Sequence, residues 1–338
     1  MSTSLVISPL TRVRWVSGRL EISAAGHAVT LSTSEAEALA VMHAFAQPRT
    51  ASEVRAQFPF IDADPLILEL RSAAVLVPPA QVAAIESARW DVDSLTFHRR
   101  SRAAVRGGLS PLSPPAVPAR AASTVFQLER PTEPMSQNLP HLLNARRSRR
   151  SWPKVLMHDL GRLLWLTARN RATGPDVVSR PYPSGGAAYS LELYPVVAPD
   201  SVADVPAGIY RYLPDTHALE LISPDAHTSV LTRAAVAAGA ERAPVAIVVT
   251  SRFERVSSTY GELAYSLVLK EVGGLFQTFY LVAEFLGLAL CALGGGCPDR
   301  LFAEAIGADD LIEPVVGELV LGPTGAAVGP HRSRWSEA

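Results

Sequence analysis

The chain has 338 residues, 48% of them apolar and 19% charged, which fits a folded protein with more than one buried core and excludes a disordered one. A formal net charge of −1 removes any global attraction to nucleic acid or to an anionic membrane. Two cysteines without CxxC spacing, Cys291 and Cys297, are too few for a disulfide framework, and no secretory signal opens the chain, so a reducing cytoplasm is expected.

Residues 5–31 alternate apolar and polar positions around Ser17-Gly18 and Ala25-Gly26, predicting short strands joined by turns. Ser34-Glu35-Ala36-Glu37 opens a helix that stops before Pro48. Thr50-Ala51-Ser52-Glu53 is a capping-box pattern for a second, and Asp64-Pro65 opens a third that ends at Val75-Leu76-Val77. Strands followed by three short helices predict a small winged-helix-like domain at 1–80. Residues 81–135 read as a helix and a proline-rich linker, with Trp90, Phe97 and His98 in its first part.

The rest, 136–338, alternates helices and strands in an α+β pattern. Helices are expected at 141–146, 158–168, 231–239, 263–272, 275–293 and 301–306. Strands are expected at 191–198, 244–250 and 314–321, with a hairpin at 208–222 around Pro214-Asp215. The run 275–293 approaches membrane-spanning length, but Gln277 and Glu284 interrupt it and basic flanks are missing, so a buried helix is the better reading.

Residues 81–150 carry 11 basic and 5 acidic groups, so an anionic ligand is to be sought there first. Arg146-Arg147-Ser148-Arg149-Arg150 offers the convergent forks and hydroxyl that a phosphate wants, although alone it reads more commonly as a basic surface or nucleic-acid patch. In Arg180-Pro181-Tyr182-Pro183-Ser184-Gly185-Gly186, two glycines would let main chain approach a flat ring, or mark an ordinary loop. Gly294-Gly295-Gly296 has more glycine than a helix C-cap needs and matches no GxGxxG fingerprint. The eight histidines show no metal-ligand spacing, and no GxSxG elbow or P-loop occurs. No metal site is expected.

In this order these pieces resemble the nitroreductase superfamily. With Gly-Ile-Tyr-Arg-Tyr-Leu-Pro at 208–214 and Gly-Leu-Ala-Leu-Cys-Ala-Leu-Gly-Gly-Gly at 287–296, they resemble its SagB-type branch, the FMN-dependent azoline dehydrogenases that form thiazoles and oxazoles. The resemblance covers about residues 140–322. It implies a mixed central sheet with flanking helices, and an obligate homodimer with FMN at the subunit interface and the 275–293 helix central to it. Carried over by position, Arg146, Ser148 and Arg150 would hold phosphate and ribityl. Ser184, Gly185 and Gly186 would lie against the isoalloxazine, and Gly294 and Gly295 would offer backbone near its N5–O4 edge. Arg332 and Arg334 resemble a phosphate-contacting tail, with a charged terminus as the equal alternative.

One departure bears on mechanism. The branch carries a Lys-Tyr pair before a glycine, and this chain has Thr259-Tyr260-Gly261. Threonine is no base at neutral pH, and a phenol, with an ordinary pKa of about 10, suits proton donation better than removal. Tyr260 is the catalytic candidate, and Lys270 reads as a surface lysine. The N-terminal domain resembles peptide-binding winged-helix elements that pair a leader peptide against an exposed strand, with a buttressing role the alternative. The expected activity is oxidation of a thiazoline or oxazoline on a peptide or carrier protein, beside a cyclodehydratase or synthetase. The alternatives are an NAD(P)H-dependent reductase of dehydroamino acids or another activated double bond, and a catalytically degenerate peptide-presenting subunit.

Overall fold

The computed structural model describes residues 3–24, 27–29, 31, 33–87, 92–93, 95–97, 124–129, 139–154, 156–172 and 178–323. Most of the expected linker, with Trp90 and His98, and both Arg332 and Arg334 lie outside the described residues. The chain divides into two compact units, Met1–Arg106 and Gly107–Ala338.

In the first unit a short strand β1 (Val6–Ile7) precedes β2 (Thr11–Val16), β3 (Arg19–Ala24) and β4 (His27–Val29), which form a sheet with β2 at its edge. Ser17 and Gly18 both take positive φ, 50° and 77°, the pair of left-handed residues that a two-residue I′ hairpin requires. Helices α1 (Glu35–Ala44) and α2 (Ala51–Gln57) start at complete capping boxes, Ser34 with Glu37 and Thr50 with Glu53. After α3 (Ala63–Ser72), β5 (Leu76–Val77) returns antiparallel to β1, closing a core around Ile22, Val41, Phe45, Leu66 and Leu70. Helix α4 (Pro79–Ser87) follows, and Leu10, Ile85 and Leu95 pack as a separate cluster. The compact unit therefore continues beyond the boundary expected at residue 80.

The second unit runs β6 (Val125–Gln127), α5 (Leu139–Ala145), α6 (Leu160–Ala168), β7 (Arg171–Ala172), β8 (Val178–Ser179), β9 (Leu191–Val197), β10 (Gly208–Leu213), β11 (Ala218–Ser223), α7 (His227–Ala238) and β12 (Val245–Ser251). It continues through α8 (Glu254–Tyr260), α9 (Ala264–Phe285), β13 (Leu288–Leu293), α10 (Asp299–Ile306) and β14 (Val315–Pro323). Seven strands form one sheet in the order β13-β14-β12-β9-β10-β11-β6. Its central strands are buried on both faces. In β12, Val245, Ile247 and Val249 enter the core under α6 and α9, while Ala246 and Val248 enter the core with Val230 and Ala234 of α7 and Phe302 of α10.

Two expectations are corrected. The sheet implied by the resemblance is mixed, whereas every described pairing here is antiparallel. Strands β12 and β13 do run the same way, but β14 runs oppositely and lies between them. The apolar run 275–293 is not one helix. A single helix, α9, spans 264–285, Gly287 at φ +67° ends it, and residues 288–293 pair with β14 from Leu288↔Pro323 to Leu293↔Glu318. Among the described residues no helix is long and apolar enough to cross a membrane.

Candidate functional site

Two groups of sequence-selected residues gather along α9. The first is the arginine segment. Its backbone runs beside β13, with the Arg149 N–H donating to Leu290 O (2.9 Å) and the Trp152 indole to Ala289 O (3.0 Å). Arg149 pairs with Glu284 of α9 (3.0 Å), and Arg147 turns back to donate to the Asn144 and Arg146 carbonyls. Ser148 Oγ lies 2.7 Å from Tyr280 Oη, which also accepts from the Ala292 N–H (2.9 Å), and the Arg146 guanidinium stacks 5.2 Å over the Tyr280 ring. Arg150 reaches the Cys291 thiol, whose pKa burial raises and Arg150 partly lowers. Among the described residues neither Arg146 nor Arg150 pairs with a carboxylate. Two uncommitted guanidinium charges beside an exposed hydroxyl are a donor set that fits a phosphate dianion.

The second group is the turn at residues 183–186. Arg180, itself buried, closes the loop that carries it. Its guanidinium donates to Tyr182 Oη (2.9 Å) and Leu191 O (2.8 Å) and lies 5.5 Å over the Tyr189 ring, and Tyr182 and Tyr189 meet edge to face at 5.8 Å. Burial, eased by Arg180, pushes the Tyr182 phenol up to about 12. Ser184 Oγ accepts from the Tyr189 N–H (2.9 Å). One stripe of α9 then backs the turn almost residue by residue. A β-carbon on Gly274 would stand 3.1 Å from Pro183, the Glu271 carboxyl accepts from Ser190 Oγ (3.2 Å), and a β-carbon on Gly185 would stand 3.4 Å from Leu267. The spacing of 267, 271 and 274 is that of one helical face.

Gly186, at φ +63°, faces Tyr260. A β-carbon there would lie 2.3 Å from the phenol oxygen. The glycine thus makes room for the chain's own catalytic candidate. Tyr260 ends α8, a helix anchored in a buried ion cluster. Glu192 of β9 pairs with Arg211 (3.0 Å) and Arg255 (3.2 Å), and Glu313 pairs with Arg252 (3.1 Å) while accepting from Tyr194 and Thr250. Desolvation lowers the Arg255 pKa and Glu192 opposes that shift.

The triple glycine follows strand β13, not a helix. Gly294 and Gly295 are exposed, with nothing within 4 Å of a β-carbon. Gly296 differs. A β-carbon there would collide with Glu318 Oε2 at 2.3 Å, because the buried Glu318 carboxylate accepts from the Cys297 N–H (2.6 Å). Lys270 is exposed, as expected.

Sequence reasoning missed Tyr280, Glu271 and Glu318. Glu271 left a signal: it is a lone carboxylate on the buried stripe of Val268, Val272 and Leu275. Burial raises its pKa to about 6, against the Ser184 and Ser190 hydrogen bonds and the Arg180 charge, which lower it. Among the described residues no cluster of His, Cys, Asp and Glu could hold a metal.

The two groups are separated along α9. Leu267 and Tyr280 stand thirteen residues apart, about 20 Å at 1.5 Å per residue. One chain thus displays a phosphate-suited end and a ring-suited end on one helix.

The chain is 34% identical over 117 residues to MJ1384 of Methanocaldococcus jannaschii, a protein named as a nitroreductase, covering 33% of this chain and 56% of that one. It is 34% identical over 119 residues to the microcin B17-processing protein McbC of Escherichia coli, covering 34% of this chain and 43% of McbC. The matches thus span about half the length of these curated relatives. A solved structure from Ralstonia eutropha, described as a nitroreductase, superposes with a TM-score of 0.51 at 23% identity, covering 66% of this chain and all of that one, and supports the fold alone. Residues 144–322, more than half of the chain, match the model of the Nitroreductase family, and they contain Arg146, Ser184, Tyr260 and Gly294: the chain belongs to the nitroreductase family.

Proposed function

We propose that the protein is an FMN-dependent oxidoreductase of natural-product biosynthesis that oxidises a thiazoline or oxazoline, carried by a peptide or a carrier protein, to the aromatic ring. The observation that carries this reading is the contact between the Tyr260 hydroxyl and Gly186, which sets an acid–base group beside the Pro-Ser-Gly-Gly turn. Kinship with a microcin B17-processing protein points the same way. Arg146, Ser148 and Arg150 would hold the phosphate, Ser184, Gly185 and Gly186 would meet the ring face, and Gly294 and Gly295 would present backbone to its edge. Arg332 and Arg334 are proposed as further phosphate contacts. When bound, FMN supplies two-electron hydride chemistry. The chain's own task is to hold the azoline over that ring and to take the proton that leaves a ring carbon as its neighbour gives up hydride. Tyr260 would relay that proton, accepting it as its own phenolic hydrogen passes to water.

The separation of the phosphate-suited and ring-suited groups supports a homodimer in which each cofactor is held by both copies. The edge strand β2, with Val13, Trp15 and Val16 exposed, supports a peptide pairing alongside the N-terminal unit, with a synthetase-type partner supplying the substrate. Thr259 keeps a second reading open: a Tyr260 that donates a proton suits a reductase fed by NAD(P)H. A protein that binds no flavin would be a peptide-presenting subunit instead.

The test is direct. Purified protein should release FMN on denaturation and convert an azoline peptide with O2 as the only oxidant. Tyr260→Phe should keep FMN and lose turnover by roughly 10²–10⁴-fold. Thr259→Lys should raise azoline oxidation. A dependence on NAD(P)H with no azoline oxidation would shift the conclusion to the reductase, and undiminished turnover in Tyr260→Phe would remove this residue from the mechanism.

A further inference from the structure

Tyr280 and Glu284, one turn apart on α9, face the arginine segment and divide it between them. Glu284 takes Arg149 (3.0 Å) and so withdraws that charge from any anion nearby. Tyr280 takes two other residues of the run: the Arg146 guanidinium lies 5.2 Å over its ring, and Ser148 Oγ stands 2.7 Å from its Oη. Backbone bonds pin the segment on either side of Ser148. The Arg146 N–H donates to Leu142 O (2.9 Å) at the end of α5, and the Arg149 N–H donates to Leu290 O (2.9 Å) of β13. Tyr280 Oη also accepts from the Ala292 N–H (2.9 Å). Strand β13 is the edge of the seven-stranded sheet, so this amide finds its partner in a side chain. The direction of the hydrogens then follows from what each group can do. An amide N–H only donates, a phosphate dianion only accepts, and each hydroxyl has one hydrogen to give. With an anion against Ser148, the serine hydrogen turns to it, and the Tyr280 hydrogen goes to Ser148 Oγ.

We propose that Tyr280 is the positioning residue that makes this site select a phosphorylated flavin: its hydroxyl sets Ser148 as a donor to the phosphate, and its ring holds the Arg146 guanidinium against the same anion. This rests on the flavoprotein reading and adds to it a residue that acts only through two phosphate ligands. The chain Ala292 N–H, Tyr280 O–H, Ser148 O–H runs head to tail toward the anion, and donors aligned in this way polarise one another. A flavin without the phosphate offers the chain no acceptor, so its binding should not depend on Tyr280.

The experiment strips flavin from the full-length protein and titrates FMN and riboflavin back in parallel, following flavin fluorescence. Wild type should prefer FMN. Tyr280→Phe keeps the ring and removes the hydroxyl. It should weaken FMN binding on the order of fivefold, the value of one neutral hydrogen bond, and leave riboflavin binding unchanged. Tyr280→Leu also removes the platform under Arg146 and should cost FMN roughly threefold more, again without effect on riboflavin. Ser148→Ala with Tyr280→Phe should bind FMN no worse than Ser148→Ala alone, since the relay then has nothing to serve. If Tyr280→Leu does not fold, Tyr280→Phe carries the test. An equal loss of FMN and riboflavin in Tyr280→Phe overturns the proposal, because the hydroxyl would then act on packing. So do an unchanged FMN affinity, additive losses in the double variant, or a wild type that binds riboflavin as tightly as FMN. Wild-type protein that takes up neither flavin refutes the flavoprotein reading itself, a result readily told apart from these.

Discussion

Gly186 occupies a left-handed conformation with the Tyr260 phenol oxygen where a β-carbon would stand. The two residues are therefore matched, and each fixes what the other can be. In Gly186→Ala the backbone costs about 1–2 kcal/mol, and the new methyl has to displace the hydroxyl or the turn. A displacement of an ångström at a reacting group can cost on the order of 10²-fold in rate. Gly186→Ala is accordingly expected to lose turnover by about that factor and to hold FMN less tightly. Adding Tyr260→Phe removes the oxygen in the way and should recover FMN affinity without recovering turnover. Equilibrium titration and steady-state assays of the two variants check this. Recovery of neither would mean that the turn itself, not the phenol, is what the methyl disturbs.

At the scale of elements, α8 is short, seven residues, and on its own would be marginal in water. It is held because Arg252 and Arg255 at its start enter the cluster built on Glu192 and Glu313. Breaking a buried ion pair from one side costs roughly 3–5 kcal/mol, because the partner charge stays behind. Glu192→Ala leaves Arg211 and Arg255 without their carboxylate and should lower the unfolding free energy measured by chemical denaturation by that much. A Glu192→Ala protein as stable as wild type would mean that water replaces the carboxylate freely. The sequence announced the elements unevenly. The capping boxes at Ser34 and Thr50 and the Ser17-Gly18 turn are local devices, and each appears where the residues predict it. The run 275–293 was ambiguous in principle, since a strand buried on both faces and a buried helix are both continuously apolar. Only pairing with β14, some thirty residues onward, decides it. The same limit applies to the site. The arginine segment and the glycine turn stand out by composition, whereas Glu271, Tyr280 and Glu318 matter through partners 21 to 132 residues away in the chain.

For the whole molecule, the open question is whether phosphate-suited and ring-suited groups of one copy serve the same cofactor. Along α9 they stand about 20 Å apart. If each cofactor takes its phosphate contacts from one copy and its ring contacts from the other, two crippled chains can repair each other. Arg146→Ala with Arg150→Ala in one chain, and Gly186→Val in the second, should each be nearly free of FMN. Mixed under conditions that exchange subunits, they should form a heterodimer with one intact site and one doubly damaged site. Flavin uptake should then reappear at up to half a site per chain in the heterodimers. A mixture that stays as empty as its parents would place both groups in the service of one cofactor within a single copy.

The sheet order carries a consequence for how the chain is made. Strands β12 and β13 belong on either side of β14, the last of the seven in sequence. A ribosome delivering roughly 5–20 residues per second releases β12 and β13 before the strand that separates them exists. For several seconds two apolar strands of like direction stand with open edges, the state most prone to pairing wrongly with a neighbour. The centre of the sheet can close only when residues 315–323 emerge. A nascent chain of this protein therefore carries unpaired strand edges until nearly all of its second unit has been synthesised.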